Sequence, residues 1–187
     1  MRLKRYFLVA PVILIVLGSI FLFLKQEDSS RHVSRVQDGA QKIRPQPLTK
    51  SATNLYFADK DNFFLIAETR TLPRPEEPEK FGKIIFQALE KGPTAGLTRT
   101  IPKGASVRAL YFSENGTAVI DLSDPVSENH PGGCKTEILT VYSLVNSLIL
   151  NIPEIDSVKI LIGGREAMTL AGHMDLRFPF KANMLLV

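Results

Sequence analysis

Apolar positions set the first expectations. Phe81, Ile84, Ile85, Ala88 and Leu89 recur at i, i+3, i+4, i+7 and i+8, one stripe of a helix. Glu76, Glu77 and Glu79 sit at its positive end, and Gly92-Pro93 stops it. A second helix is predicted from about Lys135 to Asn151, with Ile138, Val141, Tyr142, Val145, Leu148, Ile149 and Ile152 on one face. Leu139, Leu144 and Leu150 widen that face, and no charge falls between Glu137 and Glu154. Such a helix is buried over most of its surface or covered by a partner.

Strand patterns surround these helices. Leu55–Ala58 and Phe63–Thr71 flank the polar turn Asp59-Lys60-Asp61-Asn62, and a proline-rich joint runs from Leu72 to Pro78. Ala105–Ser113 and Thr117–Leu122 flank Glu114-Asn115-Gly116, a strong hairpin signal because Asn-Gly tolerates positive φ. Asp156–Ile162 and Arg165–Leu170 around Gly163-Gly164 predict another hairpin. The order β-β-α-β-β-α-β-β implies the α+β class, an antiparallel or mixed sheet with two helices on one face.

Ahead of this region, Phe7 to Leu24 form an uncharged run of 18 residues. As a helix the run spans about 27 Å, close to the ~30 Å of a hydrocarbon core. Arg2, Lys4 and Arg5 precede it, and Lys25 is followed by Glu27 and Asp28. The positive-inside rule then places the N-terminus in the cytoplasm and the remainder outside. No A-x-A-like site follows the run and no cysteine ends it, so an uncleaved signal anchor is expected over residues 1–24 rather than a signal peptide or a lipid anchor. Lys25 to Thr53 is polar and aperiodic and is expected to be a linker, with one domain over residues 54–187. The predicted location is a single-pass protein of the cytoplasmic membrane, its domain on the extracytoplasmic side.

Charge narrows the partners. Of 23 Lys+Arg, four precede Glu27, and the rest balance the 19 Asp+Glu. The net charge of +4 therefore belongs to the N-terminus, and nothing favours a nucleic-acid partner. Cys134 is the only cysteine, which excludes an intramolecular disulfide and favours a small buried apolar role over a reactive one.

The chemistry-bearing motifs are sparse. No phosphate loop, dinucleotide fingerprint, G-x-S-x-G or H-E-x-x-H occurs, so no catalytic residue, cofactor or metal is assigned. His130, Glu137, His173 and Asp175 are a speculative ligand site that only the fold could assemble. Thr136, Thr140, Ser143 and Ser147 form a line of small polar residues on the second helix, a possible interaction surface where another backbone could approach. The apolar end Met184-Leu185-Leu186-Val187 is expected to pack as an extra strand on this domain or a neighbour.

Several ordered motifs carry a family resemblance. They are Leu89-Glu90-Lys91-Gly92-Pro93 with Gly96-Leu97 and Ile101-Pro102-Lys103-Gly104; Ala118-Val119-Ile120-Asp121-Leu122-Ser123; Gly132-Gly133 with Glu137; Val141 to Leu148; and Leu170-Ala171-Gly172-His173-Met174-Asp175-Leu176. Together they resemble the GerMN domain, the sporulation and spore-germination domain of GerM-type proteins, over roughly Asn54 to Phe180. Such domains are similar to ring-building modules of secretion and sporulation channels. The resemblance implies an extracytoplasmic, non-enzymatic role in envelope assembly and supplies no catalytic residue. The sporulation member is a lipoprotein with two tandem domains, whereas this sequence predicts a membrane span and one domain.

The leading expectation is a membrane-tethered interaction or scaffold domain that binds itself or an envelope partner through a sheet edge and the second helix. Charges at Ser143 or Ser147 should then disrupt assembly and spare the fold. The alternative is a periplasmic ligand- or peptidoglycan-binding module, metal-assisted, built on the His173 cluster. Far behind stands an envelope hydrolase using Cys134 and His130.

Overall fold

Strand β1 (Thr49–Ala58) and strand β2 (Leu65–Arg74) form an antiparallel hairpin in register from Thr49↔Arg74 to Ala58↔Leu65. The computed structural model describes residues 49–187 except Ala95, so the predicted membrane span Phe7–Leu24 and the linker as far as residue 48 lie outside the described residues. Among the described residues no helix is long and apolar enough to cross a membrane. The hairpin corrects three boundaries. β1 starts at Thr49, ahead of the boundary expected at Asn54. Pro73 is not a joint but stands in the ladder opposite Lys50, at a strand end where its missing N–H is tolerated. Phe63 and Phe64 belong to the turn, because Asp59 Oδ1 accepts both their N–H groups, at 2.6 and 3.1 Å.

The end of β1, Leu55–Ala58, is buried on both faces, which accounts for its unbroken apolar run. Leu55 and Phe57 join the main core, while Tyr56 and Ala58 meet Leu65 and Leu139 in a second cluster. Helix α1 (Pro78–Lys91) buries Phe81, Ile85, Phe86, Ala88 and Leu89. It ends at Gly92, whose φ of 86° and ψ of 176° suit essentially glycine alone. Arginines take up the carbonyls at that end: Arg70 donates to Ala88 and Gly92, and Arg99 to Glu90 and Lys91.

The second sheet has the order β3-β4-β5. β3 (Val107–Phe112) and β4 (Thr117–Leu122) pair antiparallel across the predicted turn, where Gly116 has φ 77°. β5 (Ser157–Ile162) runs parallel to β4. Parallel pairing requires a long crossover. The short helix α2 (Pro125–Glu128), absent from the sequence expectation, and helix α3 (Cys134–Ile149) provide it. The single sheet expected from sequence is thus two sheets, with α1 packed on β3 and α3 on β1 and β5.

The last predicted strand, Arg165–Leu170, does not form. Gly163 and Gly164 make the expected turn, with Ile162 bridged to Arg165. Beyond it the chain leaves the sheet, and Phe180 takes the edge of β5 instead, exchanging two 2.8 Å bonds with Val158. Buried Lys159 holds this irregular stretch by donating to the carbonyls of Leu176 and Arg177, and it pairs with Glu166 at 3.1 Å. The C-terminal residues form no strand either. Met184–Leu186 is a 3-10 turn, anchored because Asn146 and Asn183 bond each other reciprocally.

Candidate functional site

Helix α3 carries the residues singled out in the sequence, and its polar line has an internal purpose. One edge of β1 pairs with β2; the groups on the other edge meet side chains of α3 and of Asn151 just past its end. Asn151 accepts from the N–H of Asn54 at 3.0 Å and donates to its carbonyl at 2.8 Å. Ser147 accepts from the N–H of Tyr56 at 3.0 Å, and Ser143 donates to the Tyr56 carbonyl at 2.5 Å. Four helical residues rise ~6 Å and two strand residues ~6.6 Å, so the spacings match. Ala58 completes the edge by bonding Thr98 in both directions. The helix stands where another strand would, and small side chains permit that close approach.

Ser143 and Ser147 are fully buried, and Thr140 nearly so. This corrects the expectation of an intermolecular surface: the backbone that approaches is β1 of the same chain. Asn151, missed in the sequence, continues the same i, i+4 line and was detectable by that spacing. Thr136 lies at the exposed start of the helix, its hydroxyl donating to the Gly132 and Gly133 carbonyls.

The speculative ligand site assembles only in part. Glu137 is fully buried, its Oε2 accepting the N–H groups of Ala171, His173 and Met174 at 3.0, 3.0 and 2.8 Å. Oε1 meets His173 Nδ1 at 2.7 Å. Burial opposes the charge, but these donors outweigh it and bring the carboxyl to about 2 from its ordinary 4.5. Glu137 thereby holds the loop after the predicted strand Arg165–Leu170, taking three N–H groups that no ladder uses. Asp175 points into a different partnership. Arg177 grips it through Nε and a terminal nitrogen, at 3.0 and 2.8 Å, and that bond holds its carboxyl at about 2. Among the described residues no group of three His, Cys, Asp or Glu side chains is placed to hold a metal ion.

His130 is committed at both ring nitrogens. The Gly132 N–H can only donate, so Nδ1, 3.0 Å away, carries a lone pair. Nε2 then bears the proton and donates to Thr140 Oγ1 at 3.0 Å, and that hydroxyl donates to the Thr100 carbonyl at 2.7 Å. Burial lowers the imidazole pKa despite the attraction of Glu137. A long-range ¹⁵N spectrum is expected to show the Nε2–H tautomer at neutral pH, with a midpoint below the ordinary 6.5. An Nδ1–H form, or a midpoint above that value, contradicts this network. Cys134 is exposed, not buried as expected, and His130 offers it no unengaged nitrogen.

The architecture defines a class: a small α+β module with a split sheet, in which one helix seals a strand edge with side chains and clasps a loop with a buried carboxylate. The chain belongs to the Germane family, described as sporulation and spore germination, whose model matches residues 54–167. The GerMN resemblance carried by the motifs is thereby established. The fold is similar to the tandem GerMN domains of the sporulation protein GerM from Bacillus subtilis, with TM-score 0.57, 24% identity, and 71% of this chain against 46% of that one. The first GerMN domain of the same protein gives 0.53 and 23%, covering 72% of this chain and 98% of that chain. A putative lipoprotein from Clostridium perfringens gives 0.51 and 23%, covering 75% and 93%. The chain thus spans less than half of the tandem structure and nearly all of one domain. No curated protein matches it by sequence.

Proposed function

We propose that this protein is a membrane-tethered, extracytoplasmic interaction domain of an envelope or sporulation-type assembly, acting by contact rather than by catalysis. Family membership supports the context, and the uncharged run Phe7–Leu24 supports the tether. The observation that carries the reading is the outer side of the β1–β2 hairpin. β2 pairs only with β1 among the described residues, and Phe63 and Phe64 in the turn before it and Ile66 within it are 58%, 54% and 46% exposed. An unpaired edge with apolar side chains at its tip is a template for another chain. Helix α3 leaves the expected surface because β1 already covers it; the sheet edge remains.

The test is a photo-crosslinking residue placed at Phe64 or Ile66 of the full-length protein in cells, with Glu114 at the tip of the other hairpin as control. Discrete oligomers, or one recurrent envelope partner, captured from the first two positions and not from the third are expected. No adduct, or equal capture from all three, counts against the reading.

A further inference from the structure

A cleft of about 560 Å³ opens between the end of β1, the segment from Thr98 to Lys103 and the first turns of α3. Its size suits a small organic molecule. Ala58, Pro102 and Leu139 supply apolar wall, and no acidic residue lines it. Asn62 and Thr98, half-buried, and Lys103, exposed, form part of the lining, and their side chains make no hydrogen bond or ion pair among the described residues. Asn62 lies in the β1–β2 turn with a positive φ of 56°, which asparagine tolerates better than most residues.

The chemistry of the three groups is one-sided. The Lys103 ammonium only donates, the Asn62 amide offers two N–H groups, and the Thr98 hydroxyl can turn either way. The Arg99 guanidinium adds positive charge from the same wall, although its terminal nitrogens already donate to the end of α1. The start of α3 borders the cleft through Thr136, and its cap Gly133 provides no side-chain oxygen to the first-turn N–H groups. Donors and cations beside apolar wall complement an acceptor-only head on an apolar body.

We propose that this cleft binds a small organic anion, a carboxylate or phosphate carried on an apolar body. The site is separate from the hairpin edge and does not depend on the scaffold reading. The full-length protein in neutral-lipid nanodiscs is titrated with hippurate and with phenyl phosphate, binding being followed by saturation-transfer NMR of the probe. Hippuramide is the uncharged counterpart.

Saturable binding of either anion is expected, with the uncharged probe weaker by about tenfold or more. Lys103→Gln weakens the anion by a similar factor and Lys103→Glu abolishes it. Lys103 is exposed, so neither change threatens the fold, and Lys181→Gln, an exposed lysine outside the lining, leaves binding unchanged. Preference for one anion identifies the head group. The proposal is overturned if neither anion saturates, if hippuramide binds as tightly as hippurate, or if Lys103→Glu binds like the parent. None of these results bears on crosslinking at Phe64.

Discussion

Ser143→Asp is expected to unfold the domain, not merely to detach it from a partner. The Ser143 hydroxyl donates to the Tyr56 carbonyl and lies 2.6 Å from Thr100 Oγ1, with no solvent access. A carboxylate there faces a carbonyl oxygen and has lost the donor the serine supplied. Leaving an uncompensated charge buried costs about 3–5 kcal/mol, against a total domain stability of roughly 5–15 kcal/mol. Ser143→Ala removes the donor without adding charge and is expected to cost about 1–3 kcal/mol, the penalty of one unsatisfied buried carbonyl. Chemical denaturation of both variants beside the parent checks the order. A natively folded, fully stable Ser143→Asp protein would refute the edge-sealing role of α3. The same substitution would look like an assembly defect in cells, so stability has to be measured first.

Glu137→Ala is the second large effect, again about 3–5 kcal/mol, because three backbone N–H groups and the His173 ring lose one shared acceptor. Glu137→Gln is milder. Its carbonyl oxygen can still accept from the three amides, and its NH₂ can donate to His173 Nδ1 once that ring carries its proton on Nε2. The carboxyl also dictates an acid response. Its folded-state pKa of about 2 lies below the ordinary 4.5, so the contribution is complete above the higher value and is lost as pH falls toward the lower. At ~1.4 kcal/mol per unit the shift corresponds to about 3 kcal/mol. Unfolding free energies measured between about pH 5 and about pH 2 are expected to fall steeply in the parent and less steeply in Glu137→Gln. Identical slopes would mean that Glu137 is not the clasp. Hydrogen exchange at Ala171, His173 and Met174 is expected to rise in Glu137→Ala before the core responds.

The hairpin edge and the cleft make different demands on the same scaffold. Edge contact needs β2 uncovered along its length, whereas the cleft needs Asn62 and Lys103 presented beside α3. Both depend on the seal between α3 and β1. Loss of that seal is therefore expected to remove both, and selective variants such as Lys103→Gln separate them.

Local patterns in the sequence determined much of this protein. The stripe from Phe81 to Leu89 is α1, Asn115-Gly116 is the β3–β4 turn, and the uncharged stretch after Glu137 is a helix buried over most of its surface. The ordered motifs determined the family. These features are written between residues a few places apart, where period and backbone dihedral preference act directly. The small hydroxyls of α3 were visible too, and so was the close backbone approach they allow.

Which backbone approaches was decided only by the tertiary structure, since Ser147 meets Tyr56 across 91 positions of chain and Asn151 meets Asn54 across 97. The same holds for Glu137, whose carboxylate oxygens accept from residues 34 to 37 positions away. Sequence shows that a polar group is present and needs a partner. Only the packed chain, which brings one donor and excludes the others, decides which partner it has.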